Sequence, residues 1–177
     1  FYTENNYIEF NDFSSRDIST TDISSIELIG IIDISKSTFS PYYDNSWNNL
    51  KTVIGLTIET IHEYAFTECT SLTQIDLPSV TSIDFAAFAL CLSLTEINLP
   101  SVTSIGIKAF SECTSLRQID LSSVTSIGEF AFEKCSNLNT VYYKDISYQD
   151  IESLLNDFSN NNVDCSLNAF LNTGLDQ

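Results

Sequence analysis

The sequence predicts a solenoid of stacked coils, and two observations carry that prediction. The first is self-similarity at a fixed period: Cys69, Cys91, Cys113 and Cys135 recur at every twenty-second position, as do Leu72, Leu94, Leu116 and Leu138. Ile75, Ile97, Ile119 and Val141 keep the same register, and so do the pairs Ala65-Phe66, Ala87-Phe88, Ala109-Phe110 and Ala131-Phe132. The second is the content of each unit, which places apolar residues on every side of its inner wall. One such unit cannot bury them alone, so neighbouring units must stack.

The elements follow in chain order. Residues 1–46 are rich in Ser, Asp and aromatics and read as an N-terminal cap, with Phe1, Tyr2, Tyr7, Phe10 and Phe13 available to pack on the first coil; a flexible arm is the alternative. A weak unit is expected inside the cap, with Leu28 and Ile31 in the places of Leu50 and Val53. The repeats then run over 47–143. They begin with a degenerate unit in which Trp47-Asn48-Asn49-Leu50 matches Cys69-Thr70-Ser71-Leu72, and Val53, Ile58 and Ile61 match Ile75, Val80 and Ile83. Within Leu72 to Leu77, apolar Ile75 and Leu77 alternate with polar residues, which is the period-2 mark of a short half-buried strand. Pro78 closes that strand, because proline donates no ladder hydrogen bond. Val80 and Ile83 begin an arc on the far side, Ala87 and Phe88 plug the interior, and Cys91 turns the chain back. Stacked strands of this kind make a short parallel sheet on a concave face, with irregular or short helical arcs opposite. Residues 144–177 read as a C-terminal cap. A helix is expected at about 147–158, with Ser147 as N-cap and Asp150 in the first turn. Its apolar face is Tyr148, Ile151, Leu154, Leu155 and Phe158, suited to covering the last coil or to binding a partner. Val163, Cys165 and Leu167 offer one more short strand in the Asn-rich tail.

The pattern Leu-x-x-Ile-x-Leu-Pro-x-Val-Thr-x-Ile-x-x-x-Ala-Phe-x-x-Cys-x-x-Leu resembles the BspA-type (Treponema pallidum-type) leucine-rich repeat of microbial surface proteins. The resemblance covers about residues 50–143 and is clearest in Ala-Phe-x-x-Cys-x-x-Leu and in Val-Thr-Ser-Ile-Gly at 102–106 and 124–128. The chain departs from the pattern at Asp84, where Gly106 and Gly128 stand in later units, and at Ser122, where Pro78 and Pro100 stand in earlier ones. The resemblance implies a leucine-rich-repeat solenoid and an extracellular or cell-surface location. It fixes the fold better than the function, since such a scaffold serves many partners.

Composition narrows the partners. Twenty-four acidic residues against seven basic ones give a net charge of −17, which lacks the basic footprint of a nucleic-acid binder. The same charge disfavours an anionic membrane surface and favours cationic partners. No membrane span is expected: the longest apolar stretch, around Leu28 to Ile34, falls far below the roughly 18 residues needed. The chain starts at Phe1, which reads as a removed leader or a piece of a longer protein. No Asn-x-Ser/Thr acceptor site is present.

Candidate chemistry is sparse. Metal sites want clustered thiolates at short spacing, whereas the Cys column gives one cysteine per coil beside Leu and Phe. Structural buried thiols are the expectation, with disulfides or a metal as alternatives, and Cys165 stands outside the column. His62 is the single histidine, so any Cys-His or Ser-His pair must use it, and Cys69 nearby is expected to point inward. No catalytic residue, cofactor or metal is therefore assigned. The strand face instead offers three outward columns: Lys51, Thr73, Thr95, Arg117 and Asn139; then Thr52, Gln74, Glu96, Gln118 and Thr140; then Ile54, Asp76, Asn98, Asp120 and Tyr142. From these, Thr73, Gln74, Asp76, Thr95, Glu96, Asn98, Arg117, Gln118, Asp120 and Tyr142 form a candidate partner-binding strip, although solubility alone also calls for a polar strand face. Tyr42, Tyr43 and Trp47 make a second patch, with Trp47 expected to pack on the first coil. The functional expectation is a non-enzymatic recognition or adhesion module that binds a protein or glycan. The alternative is a structural scaffold that self-associates through its ends or sheet edges.

Overall fold

The computed structural model describes residues 2–3, 7–10, 24–28, 33–34, 38–40 and 47–176. Each regular coil contributes one strand to each of two walls. The strand wall begins with β1 (Tyr2–Thr3), β2 (Tyr7–Phe10), β3 (Ser25–Leu28), β5 (Thr52–Gly55), β7 (Gln74–Asp76) and β9 (Glu96–Asn98), hydrogen-bonded in that order. It resumes with β11 (Gln118–Asp120), β13 (Thr140–Tyr143) and β14 (Ile146–Tyr148). The arc wall is a second sheet of two-residue strands: β4 (Asp33–Ile34), β6 (Thr60–Ile61), β8 (Ser82–Ile83), β10 (Ser104–Ile105), β12 (Ser126–Ile127) and β15 (Asp164–Cys165). Pairing is parallel throughout both walls except at the two ends of the strand wall, where β1 lies antiparallel to β2 and β14 antiparallel to β13.

The interior is a set of aligned columns. The phenylalanine rings form one face-to-face stack: Phe39 to Phe66 at 4.9 Å, Phe66 to Phe88 at 5.0 Å, Phe88 to Phe110 at 5.2 Å, Phe110 to Phe132 at 5.4 Å and Phe132 to Phe170 at 5.0 Å. Near-parallel rings are what a fixed repeat dictates, since each coil puts the same side chain in the same rotamer one strand spacing along. The four column cysteines are buried and free, and each thiol donates to the carbonyl of a phenylalanine in the preceding coil. Cys69 Sγ reaches Phe39 O at 3.1 Å, Cys91 reaches Phe66 O at 3.2 Å, Cys113 reaches Phe88 O at 3.2 Å and Cys135 reaches Phe110 O at 3.0 Å. A small apolar side chain with one weak donor fits such a site, because it fills space and also satisfies a buried carbonyl.

Three expectations need correction. In the N-terminal cap, Ile26 rather than Ile31 pairs with Val53, and Leu28 pairs with Gly55. Ile26-Glu27-Leu28 thus repeats Ile75-Asp76-Leu77, but the interval from Ile26 to Val53 is five positions longer than the regular repeat, so a fixed-period alignment misses it. Ile31, Phe1, Phe13, Tyr42 and Tyr43, and the side chains of Tyr2, Tyr7 and Phe10, lie outside the described residues. Trp47 is buried and sets its ring edge-on to Phe39 at 4.8 Å.

The second correction concerns the helix. It spans α1 (Ile151–Asn160), and its N-cap is Asp150, whose carboxylate accepts from Ser153 N at 2.8 Å. Ser147 and Tyr148 belong to β14 instead. The cause is the two-residue turn Lys144-Asp145, whose φ values of 49° and 66° are those of a type I′ hairpin and fold β14 back on β13. Leu154 and Phe158 are buried as expected, and Phe158 packs edge-on against Tyr143 at 4.9 Å. Tyr148, though in the strand, hydrogen-bonds through its hydroxyl to Asp157 of α1. Asp145→Gly relieves a left-handed non-glycine residue at the second turn position. It is expected to stabilise the chain by about 0.5–1 kcal/mol, read as a rise in Tm.

The third correction is that the repeat does not stop at the helix. β15 pairs with β12, placing Cys165 opposite Ile127, and Ala169-Phe170 then supply the next Ala-Phe pair. Leu167, expected within this strand, lies beyond it and is 86% exposed. Cys165 follows Tyr143 by the length of a whole repeat, where their counterparts Ile127 and Leu121 are only six positions apart. The hairpin and α1 are therefore an insertion within the last coil.

Candidate functional site

The ten strand-face residues fall on four strands and their approaches. Outward side chains alternate with a buried column of Val53, Ile75, Ile119 and Val141. Six of the ten (Gln74, Asp76, Thr95, Glu96, Asn98 and Gln118) surround a single depression of about 380 Å³, floored by Ile75 and Ile97. Thr73, Arg117, Asp120 and Tyr142 lie outside it. Tyr142 is 39% exposed on β13, next to the hairpin. The sequence columns thus match the outward positions of the strands but do not show the depth of the face. Ile97, unlike its column neighbours, is only partly buried at the floor of this depression, and no residue identity announces that.

The polar side chains are already organised among themselves. Asn98 Nδ2 donates to Asp76 Oδ1 at 2.6 Å. Asp120 Oδ1 accepts from Ser122 N at 2.9 Å and from Ser122 Oγ at 2.5 Å. Ser122 stands where earlier coils carry Pro78 and Pro100, so the missing proline gives Asp120 a backbone donor. Asp76 is thus engaged by Asn98 and Asp120 by Ser122, so the row is not a bare cluster of carboxylates. No group of three His, Cys, Asp or Glu among the described residues is arranged to hold a metal ion.

The remaining candidates resolve into structural roles. His62 Nδ1 lies 3.0 Å from Asp84 Oδ2, one coil along, which accounts for an aspartate where Gly106 and Gly128 stand later. Cys69 is fully buried and its thiol is spent on the Phe39 carbonyl. Burial pushes the Cys91 and Cys113 thiols above their ordinary range, which opposes the thiolate that nucleophilic or metal chemistry requires. Cys165, less enclosed, is pushed up to about 12 by burial and then by the charge of Asp164. The residues that sequence reasoning missed are at the C-terminal end. Ala169 and Phe170 repeat the Ala-Phe signal, but the insertion breaks the period that makes it visible.

With this geometry in hand, comparison with known proteins places the scaffold. A family profile described as the BspA type leucine rich repeat region matches residues 32–164 in six copies. Among solved structures, the leucine-rich-repeat protein of T. pallidum is 31% identical with a TM-score of 0.60, over 66% of this chain and 57% of that one. A leucine-rich cell surface protein of Faecalibacterium prausnitzii A2-165 is 25% identical with a TM-score of 0.51, over 74% of this chain and 44% of that one. The chain thus spans a little over half of the first relative's length and less than half of the second's. No curated protein sequence matches the chain significantly. Six profile copies over most of the sequence, on a solenoid with the same coil, show that the chain belongs to the BspA-type leucine-rich-repeat family.

Proposed function

We propose that this chain is a non-enzymatic recognition or adhesion module of a microbial surface or secreted protein. It binds a protein or glycan partner through Thr73, Gln74, Asp76, Thr95, Glu96, Asn98, Arg117, Gln118, Asp120 and Tyr142. The observation that carries this reading is the depression on the strand face, where six of those side chains converge on rigid strands. Preorganised polar groups around a partly apolar floor lose little conformational entropy on binding. The surface location is supported by the F. prausnitzii relative, described as a cell surface protein. A non-enzymatic role fits a His62 bound to Asp84 and thiols held protonated by burial. The strands at the two ends of the strand wall, β1 and β14, are two and three residues long, and edges this short weigh against growth by edge-to-edge assembly there.

The test uses glycan and protein arrays probed with the wild-type chain and with an Asp76→Ala, Glu96→Ala, Asp120→Ala, Tyr142→Ala variant. Two or more lost contacts at about 1.4 kcal/mol each predict that the variant binds the wild-type hits at least about a hundredfold more weakly. Its far-UV circular dichroism should be unchanged. Equal binding by the folded variant sinks the strand-face assignment.

A further inference from the structure

One carbonyl on the strand wall breaks the pattern of its column. Lys51 O accepts from the amides of Thr73 and Gln74, Thr73 O from those of Thr95 and Glu96, and Arg117 O from those of Asn139 and Thr140. Thr95 O stands in the same column, yet no amide of the next coil donates to it, and β9 and β11 share no ladder. The amides of Arg117 and Gln118 correspondingly receive no carbonyl from the coil before. The two coils are nonetheless closed on either side of this point. Ser123 Oγ donates to Pro100 O at 2.8 Å, Thr114 Oγ1 to Leu92 O at 3.5 Å, and Phe88 stacks on Phe110 at 5.2 Å. The depression of about 380 Å³ is therefore a recess of the strand face and not a slot through the wall. Ligand pockets run from about 300 to 1,000 Å³, so this one has room for a single ring-sized group.

The lining selects a chemistry. Gln74, Asn98 and Gln118 each carry a side-chain amide that both donates and accepts, and Asp76 and Glu96 accept only. Asn98 engages Asp76 Oδ1 through one N–H, which leaves its second N–H, its own carbonyl and Asp76 Oδ2 available. The main chain adds an unmatched acceptor at Thr95 and an unmatched donor at Gln118. Hydroxyls donate and accept at once, so a polyol answers every one of these groups. An ammonium answers the acceptors and leaves the amides unmatched. Both ionisable residues of the lining are acids on a chain of net charge −17, so an anionic ligand is repelled. Ile75 and Ile97 beneath offer an apolar floor to a C–H face.

We propose that the depression is a subsite for one neutral pyranose ring of a glycan. The ring sets its hydroxyls on Gln74, Asp76, Asn98 and Gln118 and its C–H face on Ile75 and Ile97. The proposal rests on the strand-face reading above and narrows its partner to a glycan whose contacting sugar carries no charge. Strands hold the polar groups in place before the ligand arrives, so little ordering is needed on binding.

The probes are the methyl glycosides of glucose, galactose, mannose and N-acetylglucosamine, with the methyl glycosides of glucuronic acid and glucosamine as anionic and cationic counterparts. Each is titrated into the isotope-labelled full chain, and amide chemical shifts are followed by NMR. At least one neutral glycoside should shift the amides of 74–76, 95–98 and 118 with a millimolar dissociation constant. The glucuronide should bind at least tenfold more weakly than the best neutral probe, and the glucosaminide no more tightly than it. Gln118→Glu keeps the shape of the side chain but removes its N–H donors. It should weaken neutral binding at least tenfold while the rest of the amide spectrum stays in place. Four results would each overturn the proposal: no neutral glycoside shifting these amides, shifts confined to other residues, a glucuronide bound as tightly as the neutral sugars, or a glucosaminide bound at least tenfold more tightly. If the alanine variant of the strand face loses its array partner while no glycoside shifts these amides, the face stands and the sugar subsite falls. If a neutral glycoside binds here while that variant keeps its array partner, the subsite stands and the wider face falls.

Discussion

Replacing Phe110 by alanine is expected to destabilise the chain by about 3–5 kcal/mol, the largest effect of any single change considered. The ring is fully buried and sandwiched between Phe88 at 5.2 Å and Phe132 at 5.4 Å. Removing it deletes apolar burial, leaves a cavity in the middle of the stack and ends two aromatic contacts worth about 0.5–1.5 kcal/mol each. Domains of this size are stable by only about 5–15 kcal/mol, so the variant loses a large part of the total. The position matters as much as the area. In a solenoid each coil is coupled only to its neighbours, so a defect at Phe110 separates the coils before it from those after it. Urea unfolding should therefore show a lower midpoint and a broader transition than wild type. Phe170→Ala, with a ring neighbour on one side, should cost less and leave the transition sharp.

Gly128→Ala should be nearly as damaging, by about 2–3 kcal/mol, although it adds a single methyl group. A Cβ at this position would sit 2.6 Å from Ile107 N, 2.9 Å from Gly106 C and 3.0 Å from Ile107 Cα. All three are backbone atoms, so no side chain can swing aside, and the arcs of two coils must part. Parting them lengthens the bond from Gly128 N to Ile105 O, now 2.8 Å, and strains the pairing of β10 with β12. Two coils earlier the corresponding residue is Asp84, whose carboxylate meets His62 across the coil boundary. Asp84→Gly should therefore shift Tm only slightly, while Gly128→Ala lowers it by several degrees at roughly 2–4 °C per kcal/mol. Differential scanning calorimetry of the two variants separates close stacking from a general need for flexibility at this position.

The same contrast marks how far the sequence could be read. Columns built from side-chain identity were legible: the phenylalanine stack, the inward cysteines, the Ile and Leu of the strand, and the polar strip all follow from counting one repeat forward. Features set by backbone geometry were not. The left-handed conformations of Lys144 and Asp145 create a hairpin where a helix start was expected, and the pair lacks the glycine that marks a type I′ turn. The insertion they begin hides the last Ala-Phe pair from a fixed-period search. The second sheet was unforeseen because its strands are two residues long, below any detectable alternation. Within the candidate strip, the ten residues were legible as a surface, but the depression lies where the ladder that joins β7 to β9 does not continue from β9 to β11.

The stacking of coils also determines how the molecule would answer a pull. Backbone hydrogen bonds between coils run along the long axis of the solenoid, from one strand to the next. Tension applied to the two ends therefore loads them one coil at a time instead of shearing many together. Each regular coil that peels away frees one repeat of chain, or about 75 Å of slack at full extension. A chain built this way yields to tension in small, nearly equal steps.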